Sequence, residues 1–460
     1  MDAEIAFSFV NEDHTFNFFH CEISALLNFY RKHYNAKISD HFSICVAVSG
    51  GPDSVALLFL ANFWAKQNGV NMVCVTVDHC LRKESYEEAK FVGDLCKLVG
   101  VKHKILTWNR KTSSISSGKL ENLARNARYE LISDFCKEES ISILLTGHTW
   151  NDQLETYEMR KSCGSLESGL ACISRVRSLT NELKLLRPLL HFFKDHLKNF
   201  LIHKKISWKL DPMNEQSEFK RVFFRQKINS YNQEVIRKNS REIMNFGKIR
   251  NEIETIAVSF LKTFCEFSEF GYAAVELIPF LSENNHVQME ILKRVIWNIG
   301  GKKYATTVND LVLRKIINKK ISTLGRCLLK IKKDKIFLFR ENRNIEEIIV
   351  PSNVEIPTTI FWDNRFLIKI PANVCNLSED LLDGRRQKIS NEEKFVNVEL
   401  NSYTIKSLRQ YDKFKFEIPK EALIGLPCVF QNHEVKYTIM NLPLGSIRFT
   451  NKVNLFDIFL

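Results

Sequence analysis

The chain has 460 residues, which is more than one compact core usually holds, so we expect two or three domains. Hydrophobic residues make up 45% and charged residues 26%, a composition typical of globular protein that argues against a disordered chain. The 66 Lys and Arg against 53 Asp and Glu give a formal net charge of +13. This excess favours a polyanionic partner such as a nucleic acid, although a lysine-rich surface would give the same balance.

The twelve cysteines contain no C-x-x-C pair, so the sequence predicts neither a zinc site nor a disulfide framework. The acidic start MDAEIAFSFVNEDH does not resemble a secretory signal, and the apolar run VALLFLANFWA is too short to span a bilayer. We therefore expect a cytoplasmic protein with no membrane partner. The sequence leaves the oligomeric state open, with a homodimer among the alternatives.

Residues 1–40 are predicted to form a helical lead-in, and strand and helix patterns then alternate up to about residue 225. Four apolar runs read as strands, and each precedes a segment with helical spacing: SICVAVSGG, VNMVCVTVDHCL, HKILTW and ISILLTGH. Strands separated by helices predict a parallel sheet covered on both faces. We assign residues 41–225 to this α/β domain, which LLRPLLHFFKDHLKNFLIHKK closes with a further helix.

The rest of the chain changes character twice. Residues 226–343 are predicted to form a basic, helical domain, with helix throughout 252–300 and then a basic helix that turns into a short β hairpin. Residues 344–460 follow an acidic, proline-bearing joint and contain strand-like runs such as FWDNRFLIKI and HEVKYTIMNL, so we expect a small β-rich domain there.

The first strand and its helix are joined by a predicted phosphate loop, made of Ser49, Gly50, Gly51, Pro52, Asp53 and Ser54. The glycines permit a tight turn and close backbone approach, and the helix start presents unpaired N–H groups to an anion. Pro52 suits the first helical turn, and the serines add hydroxyl donors. Asp53 beside a phosphate indicates that a metal ion or cationic group lies between them. The Gly-Lys-Ser/Thr of a Walker site is absent.

A second candidate constellation follows the strand ISILLT, where His148, Asp152 and Glu155 are spaced by four and three residues. This spacing places all three on one face of the first helical turns. The two carboxylates would suit the ammonium group of a ligand. Acidic residues are also common at helix starts because of the helix dipole, so both interpretations stay open.

Two further segments carry candidate residues. Asp78 and His79 end the second strand, and Arg125 and Arg128 lie three apart on a predicted helix, with Glu121 four residues before Arg125. An arginine there could stabilise charge on a phosphate or a leaving group, whereas an ordinary i,i+4 ion pair is the alternative. Because ligands of parallel sheets bind beyond the carboxyl ends of strands, these segments and the phosphate loop are expected to converge on one cleft.

The strongest local charge bias lies between residues 301 and 340, where eleven basic residues, besides Arg340 at the end, face only Asp310 and Asp334. This bias favours two interpretations about equally: a contact with nucleic acid and a solvated lysine face. The basic residues are Lys302, Lys303, Arg314, Lys315, Lys319, Lys320, Arg326, Lys330, Lys332, Lys333 and Lys335.

Several motifs together resemble one family. SGGPDSVALL, VDHCLRKESYEEAKFV, ENLARNARY, GHTWNDQLET, LLRPLL and DPMN occur in the order and approximate spacing of tRNA(Ile)-lysidine synthetase, in the PP-loop ATP pyrophosphatase superfamily. The resemblance is strong over residues 42–225, moderate across the helical segment and weak after 344. The loop alone resembles the superfamily, whereas the combination resembles the lysidine-forming family.

The resemblance implies an adenine-nucleotide α-hydrolase-like (PP-loop) fold and a two-step reaction that uses ATP and Mg²⁺. The wobble cytidine of an isoleucine tRNA with a CAU anticodon is first adenylated at its base carbonyl oxygen, and pyrophosphate leaves. The amine of free L-lysine then displaces AMP to give lysidine.

The resemblance also implies roles for the candidate residues. The phosphate loop, with Asp78 and His79, would hold ATP, and Asp53 would also help to bind Mg²⁺. Arg128 would offset charge at the α-phosphate, and His148 would lie beside the reacting centre. Asp152 and Glu155 would bind the ammonium group of lysine, and which of them could accept a proton is left open. Contacts with tRNA are expected at Arg125, Arg221, Arg225, Lys315, Lys319 and Lys320.

The sequence departs from the pattern of the family at five positions, none of which removes a residue assigned to chemistry. Cys80 stands at a usual glycine, Asn151 at an aspartate, Cys163 at an arginine, Met213 at a serine and Val222 at an asparagine. A tRNA thiolase of the same superfamily is the alternative, and the missing C-x-x-C counts against it. A basic RNA-binding protein on a decayed nucleotide fold is a third, and the intact loop argues against decay.

Overall fold

The computed structural model describes most of the chain up to residue 341 and separate segments beyond it. The described residues are 12–34, 42–80, 84–108, 117–180, 182–209, 219–302, 305–319, 321–341, 343, 345, 348–350, 358–363, 365–370, 403–407, 420–423, 427–431, 434–438 and 447–449. The chain divides into two compact units between Glu252 and Ile253. No helix in the described ranges has the length and apolar character needed to cross a membrane.

The first unit alternates strands and helices, as the sequence predicts. Its elements are α1 (Glu12–Tyr34), β1 (Ser43–Ala47), α2 (Pro52–Gln67), β2 (Asn71–Asp78), α3 (Glu84–Val99), β3 (Lys102–Thr107), α4 (Ser117–Glu138), β4 (Ile143–Thr146), α5 (Trp150–Ser162), α6 (Glu167–Leu170), β5 (Val176–Ser178), β6 (Lys184–Leu186), α7 (Lys194–His203), α8 (Phe219–Asn229) and the start of α9 (Gln233–Phe264).

The six strands of this unit form one sheet in the order β3-β2-β1-β4-β6-β5. All neighbouring pairs are parallel except β5 and β6, so the predicted parallel α/β sheet is confirmed. The chain runs outwards from β1 through β2 to β3 and then continues on the other side of β1 with β4. This change of direction opens a crevice beyond the carboxyl ends of β1 and β4, where parallel sheets bind their ligands.

The first strand is buried on both faces, which explains its unbroken apolar sequence. Ile44 and Val46 pack into a core shared with α1, α2 and α7, whereas Cys45 points to the opposite face and packs with residues of α4 such as Phe135. All three strand residues are fully buried. Each such side chain contributes roughly 1.5–3 kcal/mol by leaving water, so the strand that carries the phosphate loop is firmly anchored.

The second unit contains the end of α9, further helices and three antiparallel sheets. Its elements are β7 (Cys265–Phe267), β8 (Ala273–Glu276), α10 (Leu277–Ser282), α11 (Asn285–Gly300), α12 (Asp310–Asn318), β9 (Ile321–Leu324), β10 (Cys327–Lys332), β11 (Lys335–Arg340), β12 (Ile348–Val350), β13 (Thr358–Trp362), β14 (Phe366–Ile370), β15 (Tyr403–Ser407), α13 (Lys420–Leu423), β16 (Pro427–Gln431), β17 (Glu434–Thr438) and β18 (Ile447–Phe449).

Two predictions for this unit have different outcomes. The basic helix and the hairpin that follows it are confirmed as α12 and the antiparallel pair β10 and β11. The prediction of helix throughout residues 252–300 is wrong for β7 and β8, which join β11 in a five-stranded sheet. The turn between them needs Gly271, whose φ is +72°, a left-handed conformation that a continuous helix does not contain.

A buried ion cluster ties the hairpin of β13 and β14 to β11. Asp363 accepts hydrogen bonds from Arg340 Nε at 2.9 Å and from Arg365 Nε at 2.8 Å. Both arginine side chains have no exposed surface, and burial, with a smaller effect of the Arg340 charge, lowers the pKa of Arg365 to about 10 against the opposing effect of Asp363. Two buried cations on one carboxylate make this cluster sensitive to the loss of Asp363.

Candidate active site

The phosphate loop adopts a compact turn fastened by its own serines. The Ser54 hydroxyl donates to the Gly51 carbonyl at 2.9 Å, and the Ser49 amide donates to Ser54 Oγ at 3.1 Å. Gly50 has a φ of +91°, which a side chain would strain, and its carbonyl accepts from the Lys209 amide at 2.9 Å. The loop leads directly into α2, so the helix N–H groups and dipole are directed towards the loop, as the predicted phosphate site requires.

The segment after β4 lies directly against this loop because Gly147 has no side chain. A Cβ at Gly147 would lie 3.1 Å from the Asp53 carbonyl oxygen and 3.2 Å from Ser54 Cα, and backbone cannot move aside easily. This close approach brings the start of α5, which carries the predicted amine-binding carboxylates, to the phosphate loop. The two segments can therefore approach each other this closely only when residue 147 has no side chain.

The Asp53 carboxylate is partly buried beside the loop. Burial is the largest influence on it and raises its pKa to about 6, against the opposing effect of the Lys194 ammonium group. Its Oδ2 lies 3.7 Å from Lys194 Nζ, whereas its buried Oδ1 has no hydrogen-bond partner among the described residues. An unpartnered carboxylate oxygen is a suitable ligand for a hard cation.

The Asp152 carboxylate caps its own helix and also pairs with a lysine. Its Oδ2 accepts from the Thr149 amide at 2.7 Å and from the Thr149 hydroxyl at 2.9 Å, a form of the capping box. Its Oδ1 lies 3.2 Å from Lys194 Nζ. Burial works against its ionisation, but Lys194, His148 and the Thr149 amide hold its pKa below the usual range. Asp152 is therefore ionised at neutral pH.

Lys194 belongs to the same cluster, although the sequence analysis did not identify it. It is the first residue of α7, and its amide donates to the Asn151 side chain at 2.9 Å. Its ammonium group contacts both Asp53 and Asp152. Burial opposes its charge, but these carboxylates and Glu155 raise its pKa. One fixed cation thus lies between the phosphate loop and α5.

Glu155 lies one turn further along α5 and is also paired. Its Oε1 accepts from Arg225 Nε of α8 at 2.9 Å. Arg225, which the sequence analysis placed among the tRNA contacts, therefore contacts one of the two carboxylates predicted to bind an amine. That contact with tRNA stays a prediction.

His148 is held in the neutral state. Burial, followed by the charge of Arg187 and smaller effects of Arg125 and Arg128, lowers its pKa to about 3. The Thr146 hydroxyl lies 3.0 Å from its Nδ1. A histidine with this pKa is a weak base at pH 7 and is better suited to hydrogen bonding than to accepting a proton.

His79 and Arg128 contact each other at the end of β2. Arg128 Nη2 lies 3.2 Å from His79 Nε2, and burial, reinforced by the arginine charge, lowers the pKa of His79 to about 4. The imidazole is therefore neutral and accepts the hydrogen bond. Asp78 instead accepts from the Ser85 hydroxyl at 2.6 Å and the Cys80 amide at 2.8 Å, which shapes the turn after β2.

The comparisons with known proteins identify the family of this chain. Residues 23–231 match the model of the PP-loop domain. The tRNA(Ile)-lysidine synthase of Wolbachia sp. subsp. Brugia malayi (strain TRS) is 31% identical over 74% of this chain and 78% of that protein. The chain belongs to the tRNA(Ile)-lysidine synthase family.

Other similarities extend further along the chain or are more distant. The tRNA(Ile)-lysidine synthase of Rickettsia bellii (strain RML369-C) is 28% identical over 89% of this chain and 95% of that protein. A solved structure of the U34-tRNA thiolase NcsA from Methanococcus maripaludis matches with a TM-score of 0.40 and 15% identity over 50% of this chain and 79% of that chain.

Within the PP-loop unit of this family member, the structure brings most of the predicted site residues together. Asp53 and Asp152 share Lys194, Glu155 lies one helical turn from Asp152, and the charges of Arg125 and Arg128 act on His148. Their individual roles stay predictions. The side chain of Arg221 and all of Lys320 lie outside the described residues.

Two residues of the site were missed by the sequence analysis. Arg187 follows β6 and is almost fully buried, with an Nε that has no partner among the described residues. Its place at the carboxyl end of a parallel strand was the available signal, but β6 has only three residues. Lys194 left no comparable signal, because its role depends on how α7 packs beside α5.

Proposed function

We propose that this chain catalyses the ATP-dependent ligation of lysine to the wobble cytidine of an isoleucine tRNA with a CAU anticodon. Its membership of the tRNA(Ile)-lysidine synthase family supports this reaction. The observation that carries the proposal is the approach of a phosphate loop to a helix start with two carboxylates, through Gly147 and Lys194. An ATP site and an ammonium site within one cleft suit a ligase that activates one substrate and adds an amine.

In the first step, the base carbonyl oxygen of the cytidine attacks the α-phosphate of ATP. A new P–O bond forms, the bond to the β-phosphate breaks, and pyrophosphate leaves with the electron pair. Ser49, Gly50, Gly51 and Ser54 would hold the departing pyrophosphate. Arg128, oriented by neutral His79, would stabilise the negative charge that develops at the α-phosphate.

Mg²⁺ fits the residues of this site. The free Oδ1 of Asp53 offers one oxygen ligand, and no group of three or more His, Cys, Asp or Glu side chains in the described ranges forms a closed metal site. Magnesium is usually bound by one or two carboxylates together with substrate phosphates. Bound at Asp53, it would neutralise phosphate charge.

In the second step, an amine of lysine attacks the activated carbon of the base. A C–N bond forms, the bond between that carbon and the AMP oxygen breaks, AMP leaves with the electron pair, and the amine releases a proton to water. Asp152 and Glu155 would hold the ammonium group that does not react, because they lie three residues apart on α5 and both already bind a cationic side chain, Lys194 and Arg225 respectively. His148 would donate or accept a hydrogen bond beside the reacting atoms, since it is neutral at pH 7.

The alternatives are less supported. A tRNA thiolase would normally use paired cysteines, and the relatives compared above carry the lysidine synthase name. A tRNA substrate agrees with the cytoplasmic location expected from the sequence. A homodimer stays a prediction, which sedimentation velocity at several protein concentrations tests.

The decisive experiment incubates the protein with labelled lysine, ATP and the isoleucine tRNA that carries a CAU anticodon. A methionine tRNA with the same anticodon is the control. We expect label on the isoleucine tRNA alone, with release of AMP and pyrophosphate. Absence of label from both tRNAs, or equal label on both, would contradict the proposed reaction or its discrimination between tRNAs.

A further inference from the structure

The backbone at Lys194 is anchored by contacts that do not involve its ammonium group. The helix α7 begins at Lys194, whose amide donates to Asn151 Oδ1, while the Trp150 amide donates to the Phe192 carbonyl at 2.8 Å. Leu197, one turn into the same helix, is fully buried in the core of the sheet. The backbone around Lys194 is therefore fixed against the start of α5.

The ammonium group of Lys194 is placed between two carboxylates from different elements. It lies 3.2 Å from Asp152 Oδ1 and 3.7 Å from Asp53 Oδ2. The exposed fraction of the side chain is 24% for Lys194, 26% for Asp152 and 21% for Asp53. Solvent screens such a bridge less than a surface ion pair, so its loss leaves two carboxylates that repel each other.

The two carboxylates differ in what else holds them. Asp152 keeps two hydrogen bonds from Thr149 without Lys194, whereas Asp53 has an unpartnered Oδ1 and only Lys194 as an ion-pair partner among the described residues. Loss of the ammonium group would therefore disturb Asp53 more than Asp152. Asp53 belongs to the phosphate loop, so the effect should reach the adenylation step.

We propose that Lys194 is a positioning residue, which holds Asp53 in the phosphate loop by pairing it with Asp152 at the start of α5. This inference rests on the proposed ligase function and adds to it a link between the ATP site and the amine site. Lys194 acts through the two carboxylates and is not assigned a contact with substrate.

The test uses the full-length protein and measures transfer of labelled AMP from ATP to the isoleucine tRNA without lysine. Lys194→Met should lower the adenylation rate roughly tenfold or more, because Asp152 then repels Asp53. Adding Asp152→Asn removes that repulsion, so the double variant should recover to within about threefold of Asp152→Asn alone. Lys194→Arg, which keeps the charge, should lose much less than Lys194→Met.

A matched control is Lys198→Met. Lys198 lies one turn further along α7 and acts on Asp53 only at longer range, without an ion pair to a described residue. Its adenylation rate should fall much less than that of Lys194→Met, since Lys198 influences Asp53 without forming an ion pair with it or with Asp152. Unfolding temperatures give a second measurement: they should fall for Lys194→Met and partly recover in the double variant.

Several outcomes would overturn the inference. They are adenylation by Lys194→Met within twofold of wild type, a double variant as impaired as Lys194→Met, or an equal loss in Lys198→Met. Wild-type protein in the same assay distinguishes failure of the proposed function from failure of the inference about Lys194. If wild type does not adenylate the tRNA, the proposed function itself fails, and the inference about Lys194 fails with it.

Discussion

Arg128 illustrates how single side chains are arranged at this site. The neutral imidazole of His79 accepts its hydrogen bond, with Nη2 and Nε2 3.2 Å apart, and therefore orients the guanidinium group without neutralising it. A carboxylate in place of His79 would pair with the arginine and cancel part of its charge. A neutral partner of this kind orients the guanidinium group, and the Arg128 contact with His79 does not itself cancel the positive charge.

Cys80 is a residue whose backbone conformation does not suit its side chain. It follows His79 with a φ of +50°, in the left-handed region that favours glycine. The sequence analysis noted that Cys80 stands where the family usually has glycine. The structure adds a physical reason, because glycine adopts this left-handed conformation without the strain that a Cβ brings.

We therefore predict that Cys80→Gly stabilises the protein. Relief of the left-handed conformation is worth about 1–2 kcal/mol, and the extra chain freedom of glycine costs about 0.5–1 kcal/mol, so the net gain should be near 1 kcal/mol. Urea unfolding followed by circular dichroism measures it. Cys163→Gly is the control, since Cys163 is also exposed but has a φ of −92° and should gain nothing. A destabilised Cys80→Gly protein would contradict the argument.

At the scale of elements, α5 connects the site to the two helices that follow. Its Trp150 indole donates to Ser240 of α9 at 2.9 Å, and Glu158 pairs with Lys227 of α8 at 2.7 Å. Tyr157 donates to Glu242 of α9. These contacts hold α5 against α8 and α9. They therefore fix the position of the helix that carries Asp152 and Glu155.

We predict that neutralising either carboxylate of α5 weakens the use of lysine. Asp152→Asn and Glu155→Gln should each raise the KM for lysine roughly 10- to 100-fold, because a charged hydrogen bond is worth about 1.5–3 kcal/mol. The rate of tRNA adenylation should fall far less. Steady-state kinetics with varied lysine and the separate adenylation assay measure the two effects.

Glu158→Gln is the matched control for these variants, because it lies on the same helix but pairs with Lys227 and Asn239. Its KM for lysine should change little. Loss of adenylation with unchanged lysine binding, in either Asp152→Asn or Glu155→Gln, would show that the amine site lies elsewhere.

Whether a strand could be predicted from the sequence depended on its length. The apolar runs of β1, β2 and β3 were long enough to predict a parallel sheet and the cleft at its edge. The strands β5, β6 and β7 have only three residues each, and no periodicity can be read from so short a segment. The ion pairs of Lys194 and Arg225 were also beyond prediction, because they join segments distant in sequence.

At the scale of the whole molecule, the basic residues behind the net charge of +13 differ in whether a carboxylate pairs with them. In the second unit, Lys330 is paired with Glu421 at 2.7 Å and Lys335 with Glu276 at 3.1 Å. Lys315 and Lys319, at the end of α12, are exposed and make no ion pair with a described residue. The opposite side of that helix buries Leu313 and Ile316, so the two lysines are fixed on the solvent side.

We predict that the pair Lys315→Ala and Lys319→Ala, alone or combined with Lys320→Ala, weakens tRNA binding at low salt. Each lost phosphate contact should also reduce the slope of log K against log salt by about 0.7–0.9, because fewer counterions are released on binding. Filter binding between 50 and 300 mM salt, on the order of physiological ionic strength, measures both quantities. The control replaces Lys330 and Lys335, whose carboxylate partners already offset their charge, and should change the slope less. If affinity and slope were unchanged in the Lys315 and Lys319 variant, the exposed end of α12 would be a solvated lysine face and the tRNA would contact another surface.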